Sequence, residues 1–323
     1  MKTNSISILI NPPIFIKLIY GKGVISVIAV MLMFGCVNDV KISQQTIKDI
    51  RPSGEIQTIL RNGETRSYVI YIPSSYQENK PTPLMINFHG FGGIASDYAQ
   101  NIGEYNGLNT TANENNFIVV YPQAVIGPKG STYWTPGDNG IENIRQNDVY
   151  FTKELISEIA SIYNLDKNRV YAVGFSNGGM MSYSLACLGA DFIAAVGIMS
   201  GISISGDCET PNISTSIIHF HSTEDNILPY EGNRYYQSVP DVINSWNNFN
   251  GIPNSSLITT ELNDGRVNRY DYTGGNDGSS FVLYKINSSS GRKGGHVWFS
   301  EDIGGINPNQ LLWDFLSNYS LDD

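Results

Sequence analysis

The sequence predicts an α/β protein, with a mostly parallel central sheet flanked by helices. Three observations predict it. Short apolar runs of strand length alternate with longer segments whose apolar residues recur at helical spacing, as βαβ units require. One such run, 169–173, passes through a glycine-flanked turn straight into a helical segment. No repeat or linker divides residues 56–323, so that stretch is one domain.

Residues 56–60 and 67–72 are β-branched runs on either side of Arg61-Asn62-Gly63-Glu64, and Asn-Gly between such runs signals a hairpin. Residues 84–88 (LMINF) are continuously apolar, as a parallel strand covered on both faces must be. Residues 97–115 are expected as a helix, and 117–121 (FIVVY) as the next buried strand. Helical spacing of Val149, Leu155, Ile156, Ile159 and Ile162 predicts a helix over 147–163. Strand 169–173 then leads into a Gly- and Met-rich helix, 177–188. Strands follow at 194–199 and 216–220, then a helix at 239–249. Residues 257–287 hold three polar-alternating strands with Gly, Asn and Asp at their turns, and 308–319 form the last helix.

Composition narrows the function classes. Of the 323 residues 41% are hydrophobic, enough for a real core, which excludes a disordered scaffold. The net charge of −10 argues against nucleic acid, whose phosphates demand clustered Lys and Arg. Three cysteines are too few for a disulfide-built scaffold and too scattered for a zinc ribbon.

Residues 1–35 carry Lys2, Lys17 and Lys22 and no acid, and end in an apolar run too short to span a bilayer. That pattern is a secretory signal. Its end, Met33-Phe34-Gly35-Cys36, resembles the bacterial lipobox, in which a peptidase cuts before a lipid-modified cysteine. The expectation is a lipoprotein anchored through Cys36, with residues 36–55 as a polar tether and no other membrane contact. Two or more acyl chains there would meet the requirement for stable anchoring. The alternative is an uncleaved signal anchor with an incidental cysteine.

The chemistry centres on Gly174-Phe175-Ser176-Asn177-Gly178, a G-x-S-x-G sequence between strand and helix. The turn is sharp, and side chains two residues before and after the serine would collide with the neighbouring strand and helix. Ser176 would then stand exposed at the sheet edge as a nucleophile. A hydroxyl needs a base to take its proton. Of the four histidines only His296, in Gly294-Gly295-His296, follows far enough downstream to be that base. The orienting acid should follow the strand 216–220, where Glu224 and Asp225 compete. At least one of His219 and His221, beside them, is expected to be structural. The oxyanion of a tetrahedral intermediate needs two backbone N–H donors. Asn177 and Phe91, the latter in His89-Gly90-Phe91-Gly92-Gly93, are the candidates. His89, Tyr133, Trp134 and Trp298 are candidates to line the substrate. This chemistry calls for no metal and no organic cofactor.

These blocks together resemble the polyhydroxybutyrate depolymerase and feruloyl esterase group of α/β-hydrolases. The resemblance spans roughly residues 56–320. It rests on HGFGG (89–93), YPQA (121–124), Trp134, NDVYF (147–151), RVYAVGFSNGGMMSYSLAC (169–187), HSTEDNILPY (221–230), VPDVINSWNNFNG (239–251) and GGHVWF (295–299). It implies Ser176 as nucleophile, Asp225 rather than Glu224 as acid, His296 as base, and Phe91 and Asn177 as the oxyanion hole. It also implies a Cys187–Cys208 disulfide, which an exported chain can keep. Ser222 and Phe299 depart from the group's usual Gly and Pro. The implied function is an exported serine esterase acting on feruloyl or acetyl esters of polysaccharide, on phenolic esters, or on short polyesters. A serine peptidase of this fold usually carries a large extra domain, for which the chain has no room. A catalytically weak glycan-binding lipoprotein would not need the complete set of Ser, His, Asp and oxyanion loops.

Overall fold

The computed structural model describes residues 54–61, 63–100, 107–127, 129–135, 148–203, 213–287 and 293–321, and two short strands near the N-terminus. The chain divides into two compact units, Met1–Ile47 and Lys48–Asp323. In the first, β1 (Ser7–Ile10) pairs antiparallel with β2 (Ile14–Lys17). Cys36 and nearly all of the expected signal and tether lie outside the described residues.

The second unit begins with β3 (Ile56–Arg61) and β4 (Glu64–Tyr71), an antiparallel hairpin whose turn uses Gly63 at φ +80°. Then follow β5 (Thr82–Phe88), α1 (Ala95–Ala99), α2 (Asn109–Asn115) and β6 (Ile118–Pro122). A small hairpin, β7 (Val125–Ile126) with β8 (Thr132–Tyr133), precedes α3 (Asp148–Ile162). Next come β9 (Leu165–Phe175), α4 (Asn177–Leu188), β10 (Ala195–Met199), β11 (Ser216–Ser222) and α5 (Val239–Phe249). The chain closes with β12 (Ile258–Leu262), β13 (Val267–Tyr272), β14 (Phe281–Ile286) and α6 (Pro308–Leu316).

Ten strands form one sheet in the order β12-β13-β14-β11-β10-β9-β5-β6-β4-β3. The middle, from β14 to β6, is parallel, and antiparallel pairs close each end. β5, β6, β10 and β11 are buried along their whole length, because helices cover both faces. One apolar layer joins the sheet to α3, α4 and α5, the other joins it to α1, α2 and α6. Alternation in β5 serves both: Leu84, Ile86 and Phe88 enter the first and Met85 the second.

Of the helix expected over 97–115, the described residues hold α1 at one end and α2 at the other. α1 stops at Gln100, and α2 ends on Asn116 in the left-handed conformation at φ 56°. Gly103 and Gly107 between them make a continuous helix unfavourable. Leu108 instead donates its N–H to Tyr121 Oη at 2.9 Å, which ties the start of α2 to β6.

Candidate active site

The turn between β9 and α4 puts Ser176 at φ 54°, ψ −116°, a conformation non-glycine residues rarely hold without surrounding support. Ser176 N–H donates to Met199 O at 2.9 Å, which pins the turn to β10. The flanking glycines are required by space. A Cβ at Gly174 would lie 2.1 Å from the Gly178 carbonyl oxygen, and one at Gly178 would lie 2.1 Å from that of Phe88. Together they let α4 descend onto β9 and β5. Gly178→Ala is therefore expected to destabilise the domain by about 3 kcal/mol, since backbone cannot yield as a side chain does. A urea midpoint unchanged from wild type would contradict this.

Three separate loops bring Ser176, His296 and Asp225 together. The Ser176 hydroxyl lies 2.9 Å from His296 Nε2, and His296 Nδ1 lies 2.8 Å from Asp225 Oδ2. A carboxylate only accepts, so Nδ1 carries the imidazole hydrogen and Nε2 is free to accept from the serine. Asp225 is buried, and its Oδ1 accepts from the N–H groups of Ile227 (2.9 Å) and Leu228 (2.8 Å). Glu224, the competing acid, is exposed. Gly294 and Gly295, at φ +59° and +82°, allow the histidine loop to lie on the acid turn. A Cβ on Gly295 would come 2.8 Å from Asp225 N, and one on Gly294 would strike the Asn226 side chain at 2.2 Å.

The loop after β5 lies against the serine: a Cβ on Gly90 would be 3.4 Å from Ser176 Cβ. Gly90 N–H already donates to Tyr98 Oη at 2.9 Å, so Phe91 offers the next backbone N–H in line. Asn177 is the first residue of α4, where an N–H has no partner within the helix.

Three of the expected substrate contacts are buried with their polar atoms bonded within the protein. His89 is buried; its Nδ1 hydrogen goes to Gly90 O at 2.7 Å and its Nε2 accepts from Ala124 N at 3.1 Å. It moors the loop after β5 to the end of β6, and desolvation lowers its pKa to about 4. Trp134 is also buried, with Nε1 donating to His89 O at 2.8 Å. Trp298 is buried with Nε1 donating to Asn309 Oδ1 at 2.9 Å. Each ring has its polar atom committed to the protein and no face open to substrate. Tyr133 is half-buried, its ring packed over Gly127.

Residues that sequence reasoning passed over hold this assembly together. Trp134 N–H donates to Asn177 Oδ1 at 2.7 Å. Asp148 Oδ2 accepts from Thr135 N–H at 2.8 Å, and its Oδ1 pairs with Arg66 at 2.9 Å, both charges being buried. Gln123 Oε1 accepts from Ala95 N–H at 2.9 Å. The quoted blocks NDVYF and YPQA contained Asp148 and Gln123, but nothing in a single sequence tied them to partners as remote as Arg66. Cys187 is half-buried near the end of α4, and Cys208 lies outside the described residues.

With this geometry in hand, comparisons with known proteins converge. The model of the esterase family, described as putative esterase, matches residues 61–250. Feruloyl esterase B of Piromyces equi is 29% identical over 272 residues, covering 79% of this chain; the chain spans 46% of that protein's length. Probable feruloyl esterase C of Aspergillus terreus is 27% identical over 260 residues, covering 80% of this chain and 86% of the relative. Among solved structures, an acetyl xylan esterase from Aspergillus awamori superposes with a TM-score of 0.54 at 16% identity, over 72% of this chain and 93% of that one. That likeness is one of fold, the α/β-hydrolase fold.

Proposed function

The chain belongs to the esterase family, and from that premise we propose that it is an exported serine carboxylic ester hydrolase of the feruloyl esterase group, working through Ser176, His296 and Asp225. The observation that carries this is the continuous hydrogen-bonded series from Ser176 Oγ through the His296 ring to Asp225 Oδ2. His296 Nε2 takes the serine proton as Oγ attacks the ester carbonyl. The resulting oxyanion is held by the N–H groups of Phe91 and Asn177, and Asp225 stabilises the imidazolium. His296 then returns the proton to the leaving alcohol, giving an acyl-enzyme. Water, deprotonated by His296, attacks the acyl carbonyl and releases the acid and Ser176.

The proposed substrates are feruloyl esters carried on plant polysaccharide, after the relatives named feruloyl esterase, with acetyl esters and hydroxybutyrate oligomers as the comparison set. Phe91, an exposed residue, and the half-buried Tyr133 are the aromatic residues proposed to meet the acyl group. Export through the N-terminal segment, lipidation of Cys36 and the Cys187–Cys208 disulfide belong to the same proposal.

An organophosphonate warhead tests the nucleophile directly. Mass spectrometry should find the adduct on the peptide containing Ser176, with hydrolysis of methyl ferulate abolished in parallel. Failure of the folded wild-type protein to hydrolyse methyl ferulate, p-nitrophenyl acetate or a hydroxybutyrate oligomer would overturn the proposal. For the disulfide, non-reducing digestion should yield one linked peptide pair containing Cys187 and Cys208. Its reduction should cost about 3 kcal/mol on the chain-entropy view of a loop of this size.

A further inference from the structure

The two histidines of β11 have no part in the chemistry above. They occupy alternate positions on one face of the strand, and both are fully buried. The Tyr183 hydroxyl lies 2.9 Å from His219 Nδ1, His219 Nε2 lies 3.1 Å from His221 Nδ1, and His221 Nε2 lies 2.8 Å from Leu228 O. The Gly201 backbone also lies against both rings, and with both rings neutral a single arrangement of hydrogens satisfies the three contacts of the series. Leu228 O can only accept, so His221 carries its hydrogen on Nε2 and its Nδ1 is bare. His219 must then donate from Nε2, which leaves its own Nδ1 bare. The Tyr183 hydroxyl is therefore the donor. Burial favours the neutral form of each ring and depresses both pKa values.

The series starts on α4, the helix that Ser176 introduces, and ends on the turn that holds the acid. Leu228 N–H donates to Asp225 Oδ1, and His221 Nε2 stands 3.5 Å from Asp225 Oδ2. Around His221 lie Asp225 and His296 from the site loops, His219 from its own strand, and the Tyr230 ring at 6.1 Å. Lys285, from β14, points its ammonium at that Tyr230 ring.

We propose that Tyr183, His219 and His221 are positioning residues: a one-way series of hydrogen bonds from the nucleophile's helix that fixes the hydrogen on His221 Nε2 and so holds the Leu228 turn and Asp225 in place. This rests on Ser176, His296 and Asp225 being the catalytic set. The reverse tautomer would turn a bare nitrogen toward two acceptors, Leu228 O and Asp225 Oδ2, and drive the turn away. A neutral His221 also leaves the charge of Asp225 to the imidazolium of His296.

Nitrogen-15 spectroscopy of the imidazoles in the intact protein tests the arrangement without reference to activity. Both His219 and His221 should show the Nε2–H tautomer and stay neutral as the pH falls from 8 through the ordinary histidine value of about 6.5. An Nδ1–H tautomer in either ring, or protonation at that ordinary value, would overturn the proposal. Tyr183→Phe removes the first donor and little else. It should lower kcat by about tenfold with KM within about twofold, because the loss is felt in the transition state. An unchanged kcat would also overturn it. His221→Gln, which can keep an N–H near the Nε2 position, should be more active than His221→Leu; equal rates count against the proposal. Should either His221 variant fail to fold, the spectra and Tyr183→Phe still decide. Should the wild type hydrolyse no ester, the catalytic assignment fails while the spectra still judge the hydrogen arrangement.

Discussion

Replacing Ser176 with alanine is expected to reduce kcat for methyl ferulate by about 10^5- to 10^6-fold, the scale on which serine hydrolases lose activity with their nucleophile. KM should hold, because no ground-state contact to the acyl group is removed. The fold should hold as well: the turn is fixed by its backbone bond to Met199 and by the close fit of Gly174 and Gly178, neither of which involves Oγ. Asp225→Asn makes a sharper companion. An amide facing Nδ1 favours the imidazole tautomer whose hydrogen sits on Nε2, which cannot accept from the serine. A loss of about 10^4-fold is expected, as for the equivalent change in serine proteases. Initial rates on matched, thermally intact samples decide both. A Ser176→Ala protein hydrolysing at the wild-type rate would remove the nucleophile assignment, whatever the geometry.

Acid should unfold this domain through its buried imidazoles. Desolvation lowers the pKa of His89 from 6.5 to about 4, and lowers those of His219 and His221 as well. In the unfolded chain all three take up protons near the ordinary value of about 6.5. Between there and the folded values the unfolded state binds more protons, so stability rises with pH across that window. The stabilisation is complete above pH 6.5 and is lost as pH falls toward 4, and His89 alone accounts for about 3 kcal/mol. Asp148 works in the opposite direction. Burial raises its pKa, so the folded state gains a proton there on acidification. Three imidazoles against one carboxyl leave the net slope positive. Urea midpoints at pH 7, 5.5 and 4.5 should fall steeply in that order, and His89→Gln should flatten the slope. A midpoint independent of pH over this range would refute the argument.

What was legible in the sequence was whatever is local. The G-x-S-x-G turn can be read because Gly174 answers a clash with the Gly178 carbonyl four residues on, and the parallel strands can be read because burial on both faces leaves them mostly apolar. His296 was reached by elimination among four histidines, and its place depends on two glycines beside it. The surroundings of three expected substrate contacts were not legible, for one cause. His89, Trp134 and Trp298 are large, chemically able residues in site-bearing segments, and only three-dimensional packing shows that their polar atoms are already engaged. Within 97–115, the bond from Leu108 N–H to Tyr121 Oη at the start of α2 was equally invisible, because it is a tertiary contact. His219 and His221 did leave a signal: two histidines at i and i+2 in a strand must share a face. Their line to Tyr183 was invisible, since 36 residues separate the hydroxyl from the first ring.

The bond between Thr135 N–H and Asp148 Oδ2 has a further meaning. Asp148 opens α3, and Arg66 holds it from β4, so one anchored carboxylate receives both ends of the segment numbered 136–147. Each doubling of such a segment's length adds only about 0.6 kcal/mol of closure entropy. Thr135 and Asp148 are therefore moored to each other and, through Arg66, to β4, so the number and chemistry of the residues between them can change without renegotiating the core.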